Sequence, residues 1–298
     1  MSEPATPDAS PVPSIALDAL IARYDALLFD AYGVLVHATG AMPGAAELLL
    51  RLERIGKPYQ VITNDASKLP ETAAERYRGF GLQLDTGHLL TSGLLLQEHF
   101  AAYGLQGARC AVLGTPDCDQ YVARAGGRVV PVSSDFAVLV VGDQSGFAFL
   151  ETVDAAITSL YRLIDAGERV HLVLPNPDLV FSRGVHSFGI AAGSVAMLFD
   201  AALRRRYRDK PTPQFARLGK PHPQLYEEAM HRCGTRNVAM IGDQLETDIA
   251  GANACGIDSV LLATGVSADD LAGLPPALRP TWRLGSLSAP PEHSRHST

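Results

Sequence analysis

Cysteine is scarce in this 298-residue chain. Cys110, Cys118, Cys233 and Cys255 form no CxxC pair and stand at no zinc-finger spacing from a histidine, which excludes a zinc module and predicts a reduced, cytoplasmic protein. Basic charge is short as well. Lys and Arg number 25 against 32 Asp and Glu, for a net charge of -7, so nonspecific nucleic-acid binding is excluded, because phosphate backbones attract basic surfaces. No stretch approaches the ~20 apolar residues of a membrane span. The opening MSEPATPDASPVPS has neither the basic start nor the apolar run of a secretory signal, so a soluble, unexported chain is expected. Aromatic residues are only 7% of the chain and sparse in its middle, where no stacking platform for a base can be read. Repeats of fixed period are also missing, which sets aside solenoids and propellers.

What is present is an apolar fraction of 47%, enough for a sizeable core, in a length that suits two modest domains or one domain with an insertion. Residues 1–14 and 288–298 are polar and Pro-rich and are expected to be poorly ordered. From Ile15 onward, short apolar or β-branched runs alternate with amphipathic segments. ALLF at 26–29 is followed by PGAAELLLRLERIG at 43–56, PYQVIT at 58–63 and PETAAERYRGFG at 70–81. In the first of these helices Leu48, Leu52 and Ile55 share a face, with Pro43 near N1 and Gly56 as a stop. The alternation continues through CAVLG, RVVPV, FAVLVVG and RVHLVLPN and, after about residue 190, through NVAMIGD and DSVLLATG. Runs of this kind are strands buried on both faces and joined by right-handed crossovers, so the fold class is α/β.

Four segments carry chemistry. Asp30 closes an apolar run and precedes Gly33, which places a carboxylate at the C-terminal edge of a parallel sheet, where open α/β folds bind ligands. There it can serve as a nucleophile or simply cap a turn. Thr63 and Asn64 end the VIT strand, suited to phosphoryl oxygens or to ordinary turn chemistry. Lys220, held in LGKPHP between Gly219 and Pro221, is either a fixed cation for a transferring group or a solvated surface lysine. Asp243 closes VAMIGD and Asp248 opens the next helix. Asp30 and Asp243 can each give one oxygen to Mg²⁺, while Asp248 orients a metal-bound water or Lys220, or caps the helix. GDxxxTD after an apolar strand is the most specific of these strings. The segments fall into two clusters, residues 26 to 67 and 217 to 248, so a split site with a large insert is expected. The core is placed at 15–85 and 187–287 and an α/β cap domain at 86–186.

These residues together resemble the haloacid dehalogenase superfamily, in the class whose α/β cap lies between the second and third motifs, the group of p-nitrophenyl, pyridoxal and nucleotide phosphatases. DAYGVLVHATGAMPGA has the family's length from nucleophile to PGA, TNDASKLPETAAERYRGFGL is similar to its second-motif helix, and PNPD at 175–178 resembles a recurrent cap-strand ending. The resemblance implies a Rossmann-like parallel-sheet core, Mg²⁺ and a small phosphorylated substrate. It implies Asp30 as nucleophile, with Thr63, Asn64 and Lys220 on the phosphoryl group. Asp30, the carbonyl of Tyr32 and Asp243 would hold the metal, with Asp248 behind them. Homodimers formed through the cap are a further implication.

Tyr32 departs from the pattern. Phosphatases of this family place an aspartate two residues after the nucleophile to protonate the leaving oxygen and activate water. A phenol of reference pKa ~10 can donate a proton but is a poor base at neutral pH, so weakened or rerouted acid/base chemistry is expected. Two alternatives stand beside the phosphatase: a carbon-halogen or carbon-phosphorus hydrolase, and a ligand-binding or regulatory protein with negligible turnover.

Overall fold

The computed structural model describes residues 11–184, 187–208, 210–262, 271 and 273–288. Of the two loose ends expected from composition, 1–10 and 289–298 lie outside the described residues. In chain order the longer strands and the short ones that pair with them are β1 (Ala26–Asp30), β2 (Tyr59–Thr63), β3 (Leu89–Thr91), β4 (Arg109–Leu113), β5 (Arg128–Val129), β6 (Val138–Val141), β7 (His171–Leu174), β8 (Val180–Gly184), β9 (Ser187–Ile190), β10 (Phe215–Arg217), β11 (Val238–Gly242), β12 (Asp258–Leu262) and β13 (Trp282–Leu284). Two compact units contain them, one made of Met1–Ile62, Glu75–Leu89 and Tyr226–Thr298, the other of Thr63–Ala74 and Leu90–Leu225.

The first unit is built on a sheet of order β13-β12-β11-β1-β2-β3, with parallel pairing from β13 through β2. Every residue of β1, β2 and β11 is buried, as continuous apolar runs between two helical layers require. This is the expected Rossmann-like core. Strand order reverses at β1, which lies between β11 and β2, and the register sets Phe29 beside Ile241 and Asp30 beside Ile62. The helix Ala45–Arg54 buries Leu48 and Leu52, but it ends before Ile55, which is 52% exposed at the C-cap. Pro43 is likewise outside it. The N-cap is Gly44 at φ 81°, where a Cβ would lie 2.5 Å from the backbone nitrogen of Ser288, so close chain approach rather than proline starts the helix. Order begins earlier than Ile15: Val12 is buried against Ile249, Leu261 and Leu271, and Pro13 C=O accepts from Arg283 N–H at 2.9 Å. The prolines of this segment fit because it lies along the edge strand β13.

The second unit carries a parallel sheet of order β10-β7-β6-β4-β5. Its core joins Leu113, Leu139, Val141 and Leu172 of the sheet to Leu160 and Phe199 of the helices Phe149–Asp165 and Ala192–Arg206. That helix and β10 lie past residue 186, so the sheet extends beyond the boundary expected for the insert. RVVPV supplies only the two-residue β5, because Pro131 has no N–H to continue a ladder. An antiparallel hairpin of β8 and β9, unanticipated by the alternating pattern, interrupts the crossovers. Among the described residues no helix is long and apolar enough to cross a membrane.

Leu52 is 0% exposed in the first unit. Leu52→Ala is expected to cost that unit about 2–5 kcal/mol, read as a lower denaturant midpoint by circular dichroism.

Candidate active site

In the first unit, chemistry starts where burial stops. Ala26, Leu27, Leu28 and Phe29 are fully buried, and Asp30 ends the strand at 5% exposure. β11 does the same with Val238–Gly242 and delivers Asp243 just past its end. Because β1 and β11 are neighbours at the point where strand order reverses, their C-terminal ends open the crevice in which such sheets take ligands. Asp30, Asp243 and Asp248 each bring a carboxylate oxygen there, all within 4.8 Å of one another.

Glycines make this convergence sterically feasible. Gly33 has φ 90°, and a Cβ on it would lie 2.0 Å from Oδ2 of Asp243. Gly242 would place one 2.2 Å from Cβ of Asp248. Asp248 was expected at a helix start, but it sits in a π-helical turn, Leu245–Ile249, that precedes the short helix Ala250–Ala254. The wider turn directs its carboxylate back at the strand end, where Oδ2 accepts from the N–H groups of Asp243 and Gln244 at 3.2 Å each. Tyr226 steadies the turn by donating its hydroxyl to the carbonyl of Thr247 at 2.9 Å. Asp248 therefore orients Asp243, through the backbone that carries it. Three oxygen donors so placed are the chemistry of a hard divalent cation.

The second unit holds Thr63, Asn64 and Lys220. Thr63 is 3% exposed, and its Oγ1 accepts from Asp65 N–H at 3.2 Å, which leaves the hydroxyl proton to donate elsewhere. The side chain of Asn64 is committed within the unit. Its Oδ1 accepts from Lys220 N–H at 2.7 Å, and its Nδ2 donates to the Lys220 carbonyl at 3.0 Å and to Oδ1 of Asp178 at 2.8 Å. Both amide protons are thereby spent, so the side chain positions Lys220, and only the backbone of Asn64 is left to meet a phosphate.

Lys220 is 3% exposed, which removes the surface-lysine alternative, since an ammonium is buried only where charge or hydrogen bonds compensate. It precedes a cis peptide to Pro221. Gly219 is required beside it, because a Cβ there would lie 2.4 Å from Oδ1 of Asn64. Asp178 and Gly219 are the residues that sequence reasoning missed, although PNPD and GKP both marked the places. Asp65 caps its own turn, accepting from Ser67 N–H at 2.8 Å, and pairs with Lys68 at 3.0 Å. His37 likewise serves a local turn through Thr39, and Arg124 and Arg162 are committed to ion pairs with Glu71 and Asp135.

Gly33→Ala is expected to weaken Mg²⁺ binding at least about tenfold, a loss of about 1.4 kcal/mol, because the new methyl displaces the Asp243 carboxylate. Gly56→Ala, a substitution at φ 65° with nothing within 4 Å, serves as the control that binds as the wild type does. Calorimetric titration with a Mg²⁺ salt checks both.

Comparison with known proteins finds relatives over most of the chain. The model of the haloacid dehalogenase-like hydrolase family matches residues 27–128, and a second model of HAD-like hydrolases matches residues 217–289. Human chronophin (Homo sapiens) is 31% identical over 274 residues, covering 85% of each chain, and a dihydroxyacetone phosphatase of Corynebacterium glutamicum is 28% identical over 266 residues, covering 88% of each. The crystal structure of a glycerol phosphate phosphatase from Mycobacterium tuberculosis in complex with magnesium superposes with a TM-score of 0.73 at 26% identity, covering 90% of this chain and 77% of that one. Two segments matched by family models, each holding carboxylates of one cluster, and a relative at this identity over most of its length place the chain among the haloacid dehalogenase-like hydrolases.

Proposed function

We propose that the chain is a Mg²⁺-dependent phosphatase of a small phosphorylated metabolite, with Asp30 as nucleophile. The observation that carries this reading is the set of carboxylate oxygens of Asp30, Asp243 and Asp248 within 4.8 Å at the ends of β1 and β11. Asp30, Asp243 and the carbonyl of Tyr32 are the groups assigned to the ion, with Asp248 holding Asp243 in place. When bound, Mg²⁺ supplies positive charge against the phosphoryl oxygens. The same acidic set speaks against a metal-free displacement of halide from a carboxylate-bearing substrate, which would meet only negative charge.

In the reaction, an oxygen of Asp30 attacks phosphorus and the ester P–O bond breaks, its electron pair leaving on the substrate oxygen. Water then cleaves the aspartyl-phosphate, releasing inorganic phosphate and restoring the carboxylate. The hydroxyl of Thr63, the backbone of Asn64 and the ammonium of Lys220 are assigned to the phosphoryl oxygens. Tyr32 can donate a proton to the departing oxygen but is a poor base for the water step. Its presence in place of a carboxylate is expected to slow turnover of alkyl phosphates by about 10²–10⁴-fold.

A homodimer formed through the second unit belongs to the same proposal. Val180, Phe188 and Ile190 of the β8–β9 hairpin are 58%, 67% and 50% exposed, an apolar ribbon of the kind that self-association covers. Phe188→Asp is expected to convert the dimer to a monomer in sedimentation velocity, and a wild type that sediments as a monomer would end this part of the proposal.

Phosphate release from p-nitrophenyl phosphate, dihydroxyacetone phosphate, glycerol 3-phosphate and ribonucleotide monophosphates, with Mg²⁺ or EDTA, tests the activity. Release should require the ion, vanish in Asp30→Asn and rise in Tyr32→Asp. Silence of both wild type and Tyr32→Asp across the panel would overturn the phosphatase reading.

A further inference from the structure

The segment from Asn64 to Leu69 carries the residues assigned to the phosphoryl group away from the end of β2, and it is held in an unusual way. Its main chain is bonded at residue 64 and at each of residues 66–69 by side chains from later in the second unit. Ser92 donates its hydroxyl to the carbonyl of Asn64 at 2.8 Å, and the Cys118 thiol donates to that of Ala66 at 3.3 Å. Thr115 donates to the carbonyl of Ser67 and Tyr121 to that of Lys68, both at 2.6 Å, while Oδ2 of Asp117 accepts from Leu69 N–H at 2.8 Å. One turn further on, Arg124 pairs with Glu71 at 3.1 Å. Five of these six groups come from the helix Pro116–Arg124 and its N-cap Thr115.

We infer that this helix is a clasp that sets the position of Thr63 and Asn64, with Thr115 and Tyr121 as its principal positioning residues. The inference rests on the reading of those two residues as phosphoryl ligands. Several features support a purpose-built contact. Tyr121 is 3% exposed and Cys118 is 2% exposed, so neither bond competes with solvent. The Tyr121 oxygen also meets Oγ1 of Thr91 at 2.5 Å, and since the phenol proton goes to Lys68, Thr91 is the donor there, so the phenol is engaged as both donor and acceptor. Gly93 leaves room for the ring, because a Cβ on it would lie 2.5 Å from the Tyr121 ring carbons. Burial pushes the Cys118 thiol up to about 12 and raises the Tyr121 phenol too, so both stay protonated donors throughout the neutral range.

Side chains of the clasp bind main-chain atoms of residues 66–69. Asn64 continues it on the other side, through its side-chain bonds to Lys220, so the helix, the loop and the lysine form one connected hydrogen-bonded series within the unit.

Thr115→Val removes a hydroxyl at nearly constant volume, Thr115→Ser restores it, and Tyr121→Phe removes the phenol oxygen alone. Hydrogen exchange at amides 64–69 is expected to quicken in Thr115→Val and Tyr121→Phe and to return to wild-type rates in Thr115→Ser. With p-nitrophenyl phosphate, kcat should fall about three- to tenfold in the first two variants, the span of one net hydrogen bond, with a smaller change in KM and recovery in Thr115→Ser. Unchanged exchange at 64–69, or faster exchange with wild-type kcat, would overturn the clasp. A wild type that releases no phosphate from any ester defeats the phosphatase reading instead, and exchange in the variants still decides whether the helix holds the loop.

Discussion

Three carboxylate oxygens crowded within 4.8 Å at the ends of two adjacent strands are the constraint around which the first unit is arranged. Like charges at such a distance repel by on the order of 3 kcal/mol per pair at an effective dielectric near 20. The backbone offsets part of this by turning two N–H groups onto Asp248. The rest calls for a cation, and the local geometry is consistent with that demand. Gly33 and Gly242 vacate the volume that the carboxylates fill, and the π-helical turn swings Asp248 inward where a regular helix would carry it past. β1 and β11 are apolar and buried up to their last residues, so these acids stand at or past the strand ends.

The second unit solves a different problem, which is to hold Thr63 and Lys220 at fixed points through acceptor and backbone atoms. Lys220 is positioned through its backbone, by the amide of Asn64. Asn64 in turn is oriented by Asp178. Thr63 accepts a bond from Asp65 and keeps its proton. In each case the scaffold bond uses a group that the proposed chemistry does not need.

Much of this was legible in the residues. Apolar runs ending in Asp30, Thr63 and Asp243 gave strands whose chemistry sits at their C-terminal edges, because period and burial act locally and are written in the run itself. Spacing also indicated the insert. What escaped depends on contacts distant in sequence. The bonding of the Asn64 side chain to Lys220 depends on a partner 156 residues away. The early order of Val12 arises from packing on Ile249 and Leu261, and Ile55 leaves the core because Gly56 ends the helix one residue sooner than periodicity implies. Composition described residues 11–14 correctly as polar and Pro-rich, but an edge strand can pair with such a segment. Nothing in LETDIAG distinguishes a π turn from an α turn, since the difference lies in how the chain accommodates Asp248 beneath Gly242.

The helix that follows Thr115 grips its neighbour by carbonyl oxygens and an amide, atoms common to every amino acid but proline, which lacks the N–H. Recognition of that kind is indifferent to side-chain identity along the gripped stretch. A lineage can therefore rewrite positions 67 and 68, altering what borders the catalytic groups, while the backbone that carries them stays in register. Holding a loop by what does not vary leaves its variable part available for changes in substrate preference.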